Sequence, residues 1–318
     1  MNIDPSVTSP WPHRLAVVTA GATLLLIFVG GLVTNTGSAL AVPDWPTTFG
    51  YNMFTFPWSR MVGGVFFEHV HRLIGSAVGM LTVSFAVTVW LTDGRRWMRR
   101  LALVAVIAVI MQGVLGGLRV VLLEHGLAII HGCVAQAFLA LMVSLAVCTS
   151  SWWHCTLPPR QLGPSSARLR SLAIVTAALV YLQIVFGALL THNGSRLVAH
   201  LLNAGLVTVW IGILAGQILY RYPDDPKLLR PAKLLVILLS LQLSLGLGAY
   251  IWRFTEIGAG LSTGLGLAFE VCHRLNGAAL WGTAVMLTLR ILRVVGFPPR
   301  VVLATSVAGK VTTGRVLA

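Results

Sequence analysis

The 318-residue chain is 56% hydrophobic and only 10% charged, with a mean hydropathy of +0.84. That composition excludes an ordinary soluble domain and identifies a polytopic membrane protein. The net charge of +14 does not indicate a nucleic-acid partner, because the basic residues fall in short clusters between apolar runs, without an aromatic-and-basic binding module.

The first fourteen residues hold Asp4, three prolines and one arginine, which matches neither a secretory signal nor an Arg-rich transit peptide. Eight runs are then long enough to cross about 30 Å of hydrocarbon at about 1.5 Å per residue. They lie at roughly 15–34, 66–91, 101–118, 126–148, 172–190, 197–219, 232–251 and 267–292. The predicted fold is all-α, with both termini on one side. Arg95, Arg96, Arg99 and Arg100 follow span 2, Arg160, Arg168 and Arg170 follow span 4, Arg221, Lys227, Arg230 and Lys233 follow span 6, and Arg290, Arg293 and Arg300 surround the last exit. The opposite connections hold only Arg60, Arg119, Arg196 and Arg253. By the positive-inside rule both termini are cytoplasmic and every even span enters from outside.

This orientation puts His71, His131, His200 and His273 a few residues inside the outer ends of spans 2, 4, 6 and 8, at matched depth. A single membrane histidine is more often an interhelical hydrogen bond. Four at one level favour metal ligation. His13, His69, His125, His154 and His192 are terminal, in loops or off that face, and read as solvated residues. Span 2 opens with Glu68-His69-Val70-His71-Arg72, and Glu270-Val271-Cys272-His273-Arg274 nearly repeats it in span 8. At about 100° per residue Glu68 and His71 share a helical face, with Arg72 one turn beyond Glu68. Ionisable groups at this depth are costly and mark a functional site facing the bundle interior.

The repeating unit is a hairpin that leaves through a Gly-bearing helix and returns through a His-bearing one. Gln112…Gly116 leads to His131, Gln183…Gly187 to His200, Gln242…Gly246 to His273, and Gly30-Gly31 to His71. Small residues in the odd spans allow close approach of a backbone or a flat ligand. The long outer connection, residues 35–65, is rich in proline and aromatic residues and reads equally as an interfacial lid or an aromatic belt anchor. The cysteines at 133, 148, 155 and 272 lack metal-ligand spacing and read as buried fillers or free thiols. The tail after Arg293 is short and basic and reads as poorly ordered.

Neutral imidazoles in an apolar bundle suit iron or copper. Haem fits better than a bare ion, since two facing helices each supply one axial nitrogen and Arg72, Arg119, Arg196, Arg253 or Arg274 can meet propionates. Eight spans, the Glu-His-Val-His-Arg stretch, Leu115-Gly116-Gly117-Leu118-Arg119 leading to His131, and the Pro43-Asp44-Trp45-Pro46 loop together resemble the haem A synthase family of cytochrome oxidase assembly. The likeness covers about residues 12–295.

The resemblance implies oxidation of the C8 methyl of the substrate haem O to a formyl group by successive hydroxylations, with haem b as a second, redox-active group. It implies two pseudo-repeated four-helix bundles, 1–150 for substrate and 151–318 for the accessory haem. Ligand pairs are then His71 with His131 and His200 with His273. Glu68 is the catalytic carboxylate, and Arg72, Arg119, Arg274 and Glu270 are propionate or supporting residues. Further implied partners are haem O synthase, an electron carrier or quinone, and a second copy of the chain, all at a bacterial plasma membrane with the haem sites toward the outside. This sequence departs from the family in two ways. Some members carry a cysteine pair in the first outer loop, whereas residues 35–65 contain none, and Glu270 gives the second half an acid of its own. Two other classes compete: a dihaem electron carrier that leaves haem unmodified, and a His/Glu proton-coupled transporter.

Overall fold

The computed structural model describes residues 9–154 and 164–295. Among them, eight helices are long and apolar enough to cross a membrane. They are α1 (Trp11–Asn35), α2 (Gly63–Thr92), α3 (Arg96–Leu122), α4 (His125–Thr149), α5 (Pro164–Asn193), α6 (Leu197–Arg221), α7 (Pro226–Phe254) and α8 (Thr263–Val295). The described residues contain no strand, only an isolated bridge between Thr48 and Tyr51. Cys155, Arg160, residues 1–8 and the tail after Val295 lie outside the described residues. Cys133, Cys148 and Cys272 are free thiols.

Helices α1 to α4 close a ring, α1 packing on α2 and α4, and α3 packing on the same two. Helices α5 to α8 close a second ring in the same order. The rings meet where α8 packs on α1 and α4, and α4 on α5. This is a multi-pass membrane protein whose packing is compatible with paired four-helix bundles.

Two apolar clusters hold the rings together. Val78, Phe85, Met98 and Leu145 anchor the first, and Leu169, Ile211, Leu235 and Leu287 the second. Each cluster sits toward the end of its ring away from the histidines. Because lipid is as apolar as leucine, hydrophobicity alone does not bring membrane helices together, and polar links contribute. Across the junction Trp281 Nε1 donates to Gln136 O (2.9 Å) and Tyr181 Oη to Cys133 O (3.2 Å), and within the second ring Thr288 Oγ1 donates to Ala173 O (3.1 Å).

Candidate haem-ligand site

One arrangement recurs four times. A Cβ built on Gly30 of α1 would stand 3.0 Å from His71 Cε1. On Gly116 of α3 it would stand 3.1 Å from His131 Cε1, on Gly187 of α5 3.3 Å from His200 Cε1, and on Gly246 of α7 2.9 Å from His273 Cε1. Each imidazole therefore brings its Cε1 edge up against a glycine of the preceding helix, where a side chain would crowd it. The sequence shows these glycines as places of close approach, and the structure assigns the approach to the imidazoles. His200 and His273 meet edge to face, with ring centres 6.3 Å apart and planes inclined at 62°. His71 and His131 are close enough to interact electrostatically, and Arg119 lies near both.

A glutamine of the facing helix bonds at three of the four histidines. Gln112 Nε2 donates to His131 O (2.7 Å) and Gln183 Nε2 to His200 O (3.0 Å). Gln242 Nε2 lies 3.2 Å from His273 Nε2. Nδ1 of His71, His131 and His273 is buried without a hydrogen-bond partner.

The two acid-and-arginine copies, nearly identical in sequence, do different things. On α2, Glu68 is only 4% exposed. Its Oε1 accepts Arg72 Nη2–H at 2.7 Å and its Oε2 accepts the Val42 N–H at 3.0 Å. Arg72 also donates to the carbonyls of Asp44 (2.7 Å), Thr47 (2.9 Å) and Val42 (3.1 Å). This fork of bonds fastens the outer loop to α2. On α8, Arg274 does not fold back on Glu270. It lies across Gly31 of α1, its Cδ 3.6 Å from a Cβ built there, and it senses Arg119 as well as Glu270. Glu270 instead faces Arg253 at 3.5 Å, a looser and more exposed pair. Position explains the split: α2 begins beneath the loop, whereas α8 sits at the junction, packed directly on α1 and α4 of the first ring.

The loop between α1 and α2 is docked. Trp45 lays its ring on Gly117, where a Cβ would come within 2.2 Å, and so reaches the residue next to the His131 seat. His69 is a correction to the sequence reading: it is 1% exposed, held by Thr48 Oγ1 at 3.1 Å and by the Phe56 ring at 5.1 Å. It points away from the His71 face toward what looked like solvent, and the loop folds over it.

Asp44 ties the loop to itself, accepting the N–H groups of Phe49 (2.7 Å) and Gly50 (2.9 Å) and the Thr47 hydroxyl. Burial raises its pKa, but the bonds from Gly50, Thr47 and Phe49 outweigh that and hold it below the usual 3.8. A carboxylate with a lowered folded pKa stabilises at pH above its unfolded value, and the contribution is lost as pH falls through the folded one. The loop is therefore expected to be fully fastened at neutral pH and to loosen only below about pH 4. Asp44→Asn should raise amide exchange at Phe49 and Gly50 roughly tenfold at pH 7. Unchanged exchange would remove this anchor from the account.

Residues 13–201 match the COX15-CtaA family, described as cytochrome oxidase assembly protein. The chain belongs to this family. It is 32% identical over 193 residues to the heme A synthase of Shouchella clausii, covering 58% of this chain and 60% of that one. It is 30% identical over 135 residues to the heme A synthase of Alkalihalophilus pseudofirmus, covering 42% and 44%. The chain thus aligns with less than two thirds of the length of either relative.

For a cytochrome oxidase assembly protein the geometry fits a planar tetrapyrrole better than a bare ion. Among the described residues no group of three His, Cys, Asp or Glu side chains is placed to hold a metal. A porphyrin supplies four ligands itself and asks the protein for only two axial nitrogens. Two imidazoles sharing one metal through bonds of about 2 Å have ring centres roughly 6 Å apart, which the His200–His273 separation of 6.3 Å meets. Arg274, which lies across Gly31 at the junction and within electrostatic range of Arg119, carries the charge that an anionic propionate would pair with.

Proposed function

We propose that the chain is a haem A synthase, oxidising the C8 methyl of haem O to a formyl group for cytochrome oxidase assembly. The observation that carries this reading is the fourfold glycine-seated imidazole, arranged two to a ring, in a member of the oxidase assembly family. His71 and His131 would hold the substrate haem O in residues 1–150, and His200 and His273 an accessory haem b in residues 151–318. Bound haem iron supplies redox chemistry that the side chains lack.

The chain's own residues do the rest. Arg119 and Arg274 would hold propionates at the junction, and Arg72 keeps the outer loop fastened. Glu68, three residues before His71, would take the protons released as the methyl is oxidised. Glu270 is a supporting acid. With water supplying the formyl oxygen, a quinone or membrane electron carrier is the class of acceptor required for the electrons.

By the positive-inside rule the basic connections support an orientation with both termini in the cytoplasm and the ligand histidines toward the outside of a bacterial plasma membrane. Cysteines introduced between residues 40 and 60 should label from outside and those at 94–100 only from inside. The reverse pattern would overturn the orientation.

The decisive test of function is expression of the chain in a host that makes haem O, followed by chromatography of the extracted haems. Haem A should accumulate. Haem O alone, with haem b retained by the chain, would instead establish a dihaem electron carrier.

A further inference from the structure

We propose, resting on the haem reading above, that Gln112 is a specificity residue of the first ring. Its free carbonyl oxygen accepts the hydroxyl of the hydroxyethylfarnesyl group that distinguishes haem O from haem b.

Three hairpins place a glutamine four residues before the glycine seat: Gln112 before Gly116, Gln183 before Gly187 and Gln242 before Gly246. Four residues make about one helical turn, so each glutamine shares the inward face of its seat and lies about 6 Å further from the outer end. In the second ring both amide oxygens are satisfied within the protein. Asn203 Nδ2 donates to Gln183 Oε1 and Asn276 Nδ2 to Gln242 Oε1, each at 2.7 Å. Each asparagine follows its histidine by three residues.

The first ring departs at that position, where Val134 follows His131 by three residues and offers no side-chain donor. Gln112 is only 9% exposed, and its Nε2 donates to His131 O at 2.7 Å. A carbonyl accepts only from the NH2 side of an amide, so this bond fixes which way the group is turned. Gln112 Oε1 is left buried without a hydrogen-bond partner among the described residues. An unmet acceptor in an apolar bundle is costly. Here it falls in the ring assigned to substrate, at the station where the other ring supplies an asparagine. A ligand that brings its own donor would satisfy it.

The polar groups on the periphery of haem b are its propionates, whereas haem O adds one hydroxyl, on the macrocycle edge opposite the propionates. Along α3, Arg119 lies three residues to the outer side of Gly116 and Gln112 four residues to the inner side. Propionates that meet Arg119 would therefore turn the hydroxyl-bearing edge toward Gln112. The amide then separates the two haems by the one polar group they do not share.

The test is titration of the purified full-length chain, its resident haem in place, with haem O and with haem b; first-ring binding is the part that His131→Ala removes. Two variants act on the acceptor in opposite ways. Gln112→Leu deletes it. Val134→Asn fills it, reproducing the Gln183–Asn203 arrangement while keeping the Gln112–His131 bond. Each should lower the affinity for haem O about tenfold, the worth of roughly one neutral hydrogen bond, and leave that for haem b unchanged. Either variant suffices should the other misfold. An unchanged preference for haem O in both would overturn the proposal and leave the haem reading intact. Unchanged haem O binding beside weaker binding of the hydroxylated intermediate would also overturn it, because the donor would then be the new hydroxyl at C8. A wild-type chain whose first ring takes up neither haem would overturn the haem reading itself.

Discussion

Glu68→Gln is expected to reduce haem A formation by about 10²–10⁴-fold, the usual contribution of a positioned proton acceptor, while the second ring keeps its haem. The side chain is buried and its two oxygens face different partners, Arg72 and the Val42 N–H. Glutamine preserves the shape and still offers one acceptor, but it cannot take a proton. Because Glu68 also fastens the loop, proton handling must be separated from clamping. Arg72→Lys keeps the carboxylate and dismantles the guanidinium fork, whose bonds reach Val42, Asp44 and Thr47. If Glu68 handles protons, Arg72→Lys should be the milder change, and Glu68→Gln should accumulate a hydroxylated intermediate. Equal losses with an undocked loop would make Glu68 a clamp only. Glu270→Gln should be milder than either, since Glu270 makes a looser pair with Arg253. An active Glu68→Gln beside an inactive Glu270→Gln would move the chemistry to the second ring.

His273→Ala is expected to abolish the resident haem spectrum, and His200→Ala to do the same. The two imidazoles lie with ring centres 6.3 Å apart, so on the proposed ligation the loss of either leaves one axial nitrogen where two are required. His71→Ala and His131→Ala should leave that spectrum in place and chiefly stop haem A formation. Retention of full haem content and conversion in all four variants would exclude axial ligation by these residues. The glycine seats make a related demand, since a side chain at Gly246 would meet the His273 ring at 2.9 Å.

Much of this was legible in the sequence because the bilayer allows few solutions. The eight apolar runs could only be helices, and the pairing of each of His71, His131, His200 and His273 with a glycine of the preceding helix follows the hairpin pattern of the sequence. What the sequence left open depends on partners distant along the chain. His69 and His71 differ by two residues, and only the loop folding over α2 decides that His69 is buried. The Glu-x-x-His-Arg copies read as equivalent, yet Arg72 closes on Glu68 whereas Arg274 crosses to Gly31. Local spacing cannot show which helix neighbours α8. The His-x-x-Asn spacing at His200–Asn203 and His273–Asn276 was visible as letters, but its meaning lies in glutamines 20 and 34 residues away. The outer loop has too little regular structure for periodicity to reveal the Asp44 and Arg72 anchors.

The central claim is that paired imidazoles, one pair to a ring, are axial ligands to haem. The optical and electron paramagnetic resonance spectra of the purified full-length chain test it most directly. A low-spin, bis-histidine b-type signal that disappears in His200→Ala and His273→Ala is the predicted result. A chain isolated without haem, or carrying only five-coordinate high-spin haem, would contradict it.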